Sequence, residues 1–365
     1  MERHKLFYCK AFLRQTQTTL DSWIGKIEEM EPMFRRCYSH ILEFSKEQLV
    51  KIILLDCAFI LEFLYRFSYR DWNEDVCLSK PWWRTSIRFD LLLLENQVPF
   101  VVLERLFNHS CSSRGGDFPS FLELTLAFFE QFNRSNLNFY NINGIRHFTN
   151  LIRTFHLPDP LPHKTDGLIM EHLPSATELS EAGLRSKVLE SESCLLKLHF
   201  SGRVLEIPQL VVADSTETLF RNMVALEQCL YPFKTYIADY VVFVDFLVNA
   251  NKDLDILVQE KVFLNWIWDT DSVATMINSL SKNITVCNIS SHHFSVHEKL
   301  NAFHKNPWRK LKSTLRRDYC RGPWQIAAST AAIIFLILSF VQTVCSILQV
   351  IHQLNMSPDP LPKTC

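Results

Sequence analysis

The chain has 365 residues, 28 of them Phe and 8 Gly, with 38 basic and 39 acidic side chains. So few glycines argue against turn-rich β architecture and against phosphate-cradling loops. The charge is uneven: the first 304 residues carry 30 basic against 37 acidic side chains, which argues against nucleic acid as the main partner.

Residues 2–40 read as two helices, with Leu6, Phe7, Phe12, Leu13, Leu20, Trp23, Ile24 and Ile27 at helical spacing. Residues 46–67 form an amphipathic helix through Leu49, Ile52, Ile53, Phe59, Ile60, Phe63, Leu64 and Phe67. Asp56 lies on that face and reads as a paired core or interface acid. The tryptophan-rich stretch 71–84 reads as a surface excursion. In 90–107, DLLLLENQVPFVVLERLF, two short helices should meet at a turn, the second starting near Pro99. Residues 111–117 should be a loop, and 119–132 and 144–155 helices. Residues 157–163 hold three prolines and lead into a variable linker to about residue 173.

Ser175 and Glu178 have the spacing of a capping box for a short helix. Residues 194–200 and 203–207, around Ser201 and Gly202, read as a β-hairpin. Asp214 and Glu217 suggest a second capping box, opening a helix over 216–230. Residues 234–250, 253–259, 271–282 and 296–303 read as further helices. No internal repeat is visible. The fold class is mainly α, an irregular multi-helix domain with one small β-hairpin, plus a C-terminal single transmembrane helix.

That last helix is bounded by Ile326 and Val350 and reads IAASTAAIIFLILSFVQTVCSILQV, without one Asp, Glu, Lys, Arg, Gly or Pro. As a helix it measures roughly 37 Å, more than the ~30 Å hydrocarbon core. A helix satisfies its own backbone polar groups inside lipid, and its Ser, Thr and Gln side chains can back-bond or face another helix. Upstream, Lys305, Arg309, Lys310, Lys312, Arg316, Arg317 and Arg321 stand against one acid, Asp318. The positive-inside rule then puts the body in the cytosol and the tail outside. The same cluster would attract anionic lipid, and Trp308, Tyr319 and Trp324 suit the headgroup region. The organisation is a body at 1–304 with a sub-boundary at 157–173, a basic juxtamembrane segment at 305–325, a span at 326–350 and a tail at 351–365. The span's length favours the thicker plasma membrane. The N-terminus is not a signal peptide, since Cys9, Lys10 and Arg14 break its apolar run.

The residues show little chemistry. Phosphate-loop, dinucleotide, nucleophile-elbow and zinc-protease motifs do not occur. The eleven cysteines are scattered without metal-like spacing, as befits buried thiols in a reducing compartment. His293 and His297, with His292 and Glu298 beside them, could share a helix face, but read as surface histidines rather than a metal site. Cys57 beside Asp56 has no identifiable base. Asp239 and Asp245 do not share a face well enough for paired-carboxylate catalysis. No catalytic, metal or cofactor residue is assigned and no cofactor is expected. The sequons at Asn108, Asn133, Asn283 and Asn288 would stay bare in the cytosol.

Five blocks carry a resemblance: 90–107, ATELSEAG at 176–183, VLEIPQLVVADSTETLFRNMVALEQC at 204–229, YIADYVVFVD at 236–245 and PWRKLKSTLRRDY at 307–319. With the apolar span after them, they resemble the plant domain of unknown function 247 family in its order. The resemblance implies a land-plant, helix-rich, single-span protein without established enzymatic activity or catalytic residues. Some grass members look like pollen-side determinants of self-incompatibility. Members usually carry an upstream segment with an I-G-P-x-H stretch, which this chain does not show. The expectation is a non-enzymatic membrane-anchored protein that recognises other proteins, as a homo- or hetero-oligomer with family members or with an unidentified protein partner, and that contacts membrane lipid. The alternatives are a membrane-tethered hydrolase with an acid or thiol site that one sequence does not reveal, and a peripheral module binding anionic lipid.

Overall fold

A computed structural model describes residues 2–72, 75–114, 118–134, 137, 142, 144–166, 172–190, 194–267, 269–285, 288–306 and 323–355. The chain divides into two units. One comprises Met1–Thr177 and Arg185–Asn301, the other Glu178–Leu184 and Ala302–Cys365.

The two expected N-terminal helices are α1, Glu2–Thr16, and α2, Leu20–Arg36. Helix α3 follows as Lys46–Ser68, opened by a capping box between Ser45 and Gln48. Its apolar residues Leu49, Ile53, Phe59, Ile60, Phe63 and Leu64 are buried, and Ile52 faces outward. Leu54, Ala58 and Leu61 are buried as well, because α1 and α2 both lie against α3. Asp56 is paired with Lys5 of α1 at 2.6 Å, as the reading of a paired acid expects.

The stretch 71–84 is not a surface excursion throughout. Asp75, Cys77 and Leu78 are buried. The Asp75 carboxylate turns the segment inward by accepting the Cys77 and Leu78 backbone N–H groups, both at 2.9 Å, and the Tyr8 hydroxyl at 2.6 Å. Pro81 then starts α4, Pro81–Asp90. The first half of 90–107 is a turn with a short 3-10 segment, Leu94–Asn96, rather than a helix. Side chains hold it: the Gln97 amide donates to the Leu91 and Leu93 carbonyls, and Thr149 donates to the Leu92 carbonyl. Helix α5, Phe100–Arg114, starts after Pro99 as expected and continues into the expected loop. Gly115 and Gly116 lie outside the described residues.

Helix α6 is Phe121–Phe129, with a Ser120–Glu123 capping box, and α7 is Phe148–His156. The aromatic richness of the chain is spent here. Phe63 and Phe128 meet edge to face at 5.3 Å, and Phe129 packs on Phe148 at 5.4 Å. The expected linker is partly a strand, since β1, Lys164–Asp166, pairs antiparallel with residues 288–290. Helix α8 is Ala176–Glu181. Strands β2, Arg185–Val188, β3, His199–Ser201, and β4, Val204–Ile207, form a sheet in the order β2-β4-β3. The expected hairpin is β3–β4, and Gly202 turns it at φ +62°.

Two more strand pairs go beyond the single hairpin expected. Strand β5, Leu210–Val212, pairs in parallel with β6, Phe263–Asn265, and β1 pairs with β7, Asn288–Ser290. The remaining helices are α9, Asp214–Leu230, α10, Tyr236–Leu247, α11, Asn251–Gln259, α12, Thr270–Leu280, and α13, Ser291–Lys305. Helix α9 opens two residues before the expected start. Thr216, not Glu217, reaches back to the preceding turn and accepts the Ala213 N–H at 2.9 Å. The mainly α expectation holds.

Helices α7, α9 and α10 meet at a buried ion pair. Arg153 Nε of α7 donates to Glu227 Oε1 of α9 at 2.7 Å, and both side chains are buried. The same carboxylate accepts the Ile237 and Ala238 N–H groups at 3.1 and 3.0 Å, where α10 has free donors and a positive dipole end. Burial pushes the Glu227 carboxyl up, while Arg153 and those N–H groups pull it back.

The last unit contains α14, Pro323–Asn355. Within it Thr330–Gln353, 24 residues, is long and apolar enough to cross a membrane, and none of it is buried. That range starts and ends slightly downstream of Ile326 and Val350.

Glu227→Ala leaves Arg153 buried without its partner, and should lower the unfolding free energy of the body by about 3–5 kcal/mol, read as a shifted urea midpoint. His147 Nδ1 accepts the Asn150 N–H as the N-cap of α7. Burial and neighbouring Arg146 depress its pKa from 6.5 to about 4. The folded value lies below the unfolded one, so the neutral ring stabilises the fold at pH above 6.5, and that stability is lost as pH falls toward 4. The loss should be about 1–3 kcal/mol, and His147→Asn, which keeps the cap without the titration, should flatten it.

Candidate functional site

Three places in the chain bring together residues capable of chemistry or binding. The first lies where β1 and β7 run beside α10. Lys164 is opposite Ser290 in the strand pair, and its Nζ donates to Asp239 Oδ2 at 2.8 Å. The same oxygen accepts the Ser290 N–H at 2.8 Å. Burial raises the Asp239 carboxyl against the pull of Lys164 and Ser290.

Ser290 Oγ is 2.7 Å from His293 Nδ1 and also accepts the His293 N–H at 3.3 Å. The composition is that of a serine–histidine–aspartate set, but the roles differ. Ser290 caps α13 by accepting the His293 N–H, and its hydroxyl shares a second hydrogen bond with Nδ1. Asp239 meets the Ser290 backbone, not the imidazole. Burial, with neighbouring His292 and Lys164, depresses the His293 pKa to about 3, so the ring is neutral. Ser290, His293 and Asp239 are all buried. The arrangement fastens two strands and a helix, and offers no approach to an acyl group.

The second place is a cleft of about 110 Å³ in which Lys5 and Asp56 face Asp90 and Asn96 over an apolar floor that includes Phe59, Ile60 and Leu91. It falls short of the roughly 300–1,000 Å³ that a small-molecule site encloses. The Lys5–Asp56 pair is partly exposed, so it contributes little to stability. The third is α14, whose apolar side chains are exposed on every side, among them Ile333, Phe335, Ile337, Phe340, Val344, Leu348 and Ile351.

The sequence-derived site residues fall unevenly on this frame. Ile326 and Val350 both lie in α14. Lys305 ends α13 and is exposed, while Arg309, Lys310, Lys312, Arg316, Arg317 and Arg321 lie outside the described residues. The surface reading of the histidines is corrected for His293 and His297, which are buried because α13 turns that face inward. Among the described residues no three His, Cys, Asp or Glu side chains are grouped to hold a metal. Cys57 is buried, and burial with neighbouring Asp56 raises its thiol well above the ordinary value, the opposite of an activated nucleophile. Asp239 is buried in its ion pair, whereas Asp245 is half-buried elsewhere on α10.

Of the sequons, Asn108 and Asn283 are exposed, while Asn288 is buried with its amide donating to the Phe233 carbonyl. Asn133 is half-buried, and its side chain both donates to and accepts from the Leu137 backbone. Ser290, Lys164, Arg153 and Glu227 were not singled out from the sequence. Their partners are far apart in the chain, and the only local signal was Ser290 two residues before His292, as a helix cap.

A family model described as a plant protein of unknown function, DUF247, matches residues 1–338. A UPF0481 protein of Arabidopsis thaliana is 25% identical over 93% of this chain and 77% of its own length. A putative UPF0481 protein of the same plant is 21% identical over 94% of this chain and 82% of its own. No solved structure matches the chain.

Ser290→Ala should cost about 1–2 kcal/mol of stability through loss of the cap, measured by denaturant unfolding. A nucleophilic serine would behave otherwise, with the stability unchanged.

Proposed function

The chain belongs to the DUF247 family of plant proteins, and on that premise we propose that it is a membrane-anchored protein that acts by recognising other proteins rather than by catalysis. The observation that carries this reading is α14: a helix of 33 residues with exposed apolar side chains all round. In water such a surface is unfavourable on every face, and a bilayer removes the penalty.

The basic residues between Lys305 and Arg321 support a cytosolic body with the C-terminal tail across the membrane, and contact between the cluster and anionic lipid. The span's length favours the plasma membrane. Cys9, Cys37, Cys57, Cys77, Cys229 and Cys345 are free thiols, in keeping with a reducing compartment. For recognition, the support is on the body, where Trp82, Phe233 and Trp266 are 63%, 68% and 71% exposed. Exposed large aromatics are the side chains that interfaces use as anchors. The partner is another protein, a family member among the candidates, and self-incompatibility-like signalling is one setting for it.

Two measurements test this. The full chain should stay in the membrane pellet through alkaline carbonate, and a chain ending before Pro323 should be released; release of the full chain would end the membrane reading. In plant cells, an N-glycan-removing enzyme should leave its gel mobility unchanged. A shift lost in Asn108→Gln/Asn283→Gln, the two exposed sequons, would place the body on the opposite side.

A further inference from the structure

Between Ser339 and Gln353 the hydroxyl and carboxamide side chains of α14 keep to one side of the helix, while Thr330 and His352 lie away from it. Ser339, Gln342, Thr343, Ser346, Gln349 and Gln353 recur every three or four residues. At about 100° per residue they fall within an arc of roughly 120°, while Ile337 and Val344 lie on the opposite side. Thr343 donates its hydroxyl to the Ser339 carbonyl at 2.8 Å, and Ser346 to the Gln342 carbonyl at 2.9 Å. Those hydroxyls are satisfied within the helix. Among the described residues, the Gln342 and Gln349 side-chain amides bond to nothing in the chain. Gln342 stands midway along Thr330–Gln353, where lipid has no hydrogen bond to offer.

We infer that α14 pairs in parallel with α14 of a second copy of this chain, through the stripe carrying Gln342 and Gln349. The inference rests on the membrane-spanning reading above. The occupant follows from chemistry and direction. Copies of one chain insert with the same orientation, so a two-fold axis sets Gln342 against Gln342 and Gln349 against Gln349. A carboxamide carries both donor and acceptor, so each amide is its own complement. The seven-residue steps Ser339 to Ser346 and Gln342 to Gln349 fit a left-handed crossing, and serine between the glutamines lets two backbones approach. An acidic or basic partner helix would leave half of each amide unmatched.

The test uses the full chain with an N-terminal fluorescent protein, reconstituted at falling protein-to-lipid ratio in phosphatidylcholine–phosphatidylserine vesicles that hold no other protein. Photobleaching steps per spot count the copies. The wild type should bleach in two steps, and Gln342→Leu/Gln349→Leu should weaken its association constant about 3- to 30-fold. Ile337→Ala/Val344→Ala should leave pairing unchanged. Single-step bleaching of the wild type overturns the inference, as does undiminished pairing of the leucine variant or equal loss in the alanine variant. Each sample is also washed with carbonate. A chain that resists carbonate but does not pair sinks the pairing alone, whereas a chain that washes off sinks the membrane reading with it.

Discussion

A carboxylate held among apolar side chains needs hydrogen-bond and charge partners, and the second half of the body is arranged around that constraint at Glu227. Its oxygens serve Arg153 and two backbone N–H groups at the start of α10. Those contacts fix three helices in position and direction at once, because an arginine fork and a helix N-terminus each accept an anion from one side only. Lys164 and Asp239 Oδ2 make a second tie near the start of α10, joining it to the strand pair. In the first half the same role falls to Asp75 and Glu62, which share Arg66. Apolar packing supplies the driving force for folding, and these carboxylates decide which packing it is.

This division explains which features of the fold can be read from the chain. Periodicity is a local signal, so α1, α2, α3 and α9 were legible from their apolar spacing. The β3–β4 hairpin was legible because Gly202 punctuates it. The turn after Asp90 was not, since its leucines are as frequent as in a helix. It is held by Gln97 within the stretch and by Thr149, 57 residues from the Leu92 carbonyl it meets, which no window of neighbours contains. Strand β1 escaped notice because it has three residues and its partner lies far down the chain. The burial of His293 and His297 was missed for the same reason. Two histidines at helical spacing have the same pattern whether α13 turns them to solvent or into the body.

The functional reading follows the same line between local and distant. The apolar helix α14 is a property of composition over one uninterrupted stretch, so it was visible at once. The clustering of Lys164, Asp239, Ser290 and His293 depends on three separate segments, and resembles catalytic chemistry only until its hydrogen bonds are followed. A serine that caps a helix and an aspartate that meets a backbone amide are spent on architecture. The exposed aromatics lie at the ends of elements or between them, Trp82 in the first turn of α4, Phe233 in a turn and Trp266 just after β6, where periodicity says little about burial.

The pairing of β1 with β7 bears on how the protein is made. Thr165 bonds to the Ile289 carbonyl 124 residues away, so this contact closes a long loop. Loop closure of that length is entropically unfavourable and slow to nucleate. The polypeptide leaves the ribosome from its N-terminus, so α1 to α6 can assemble while the rest is still being synthesised. The neighbourhood of Asp239 cannot: one of its donors, the Ser290 N–H, does not yet exist. Completion of the second half therefore waits on translation reaching residue 290, and until then the nascent chain presents an under-satisfied carboxylate and an open strand edge to the chaperones around it.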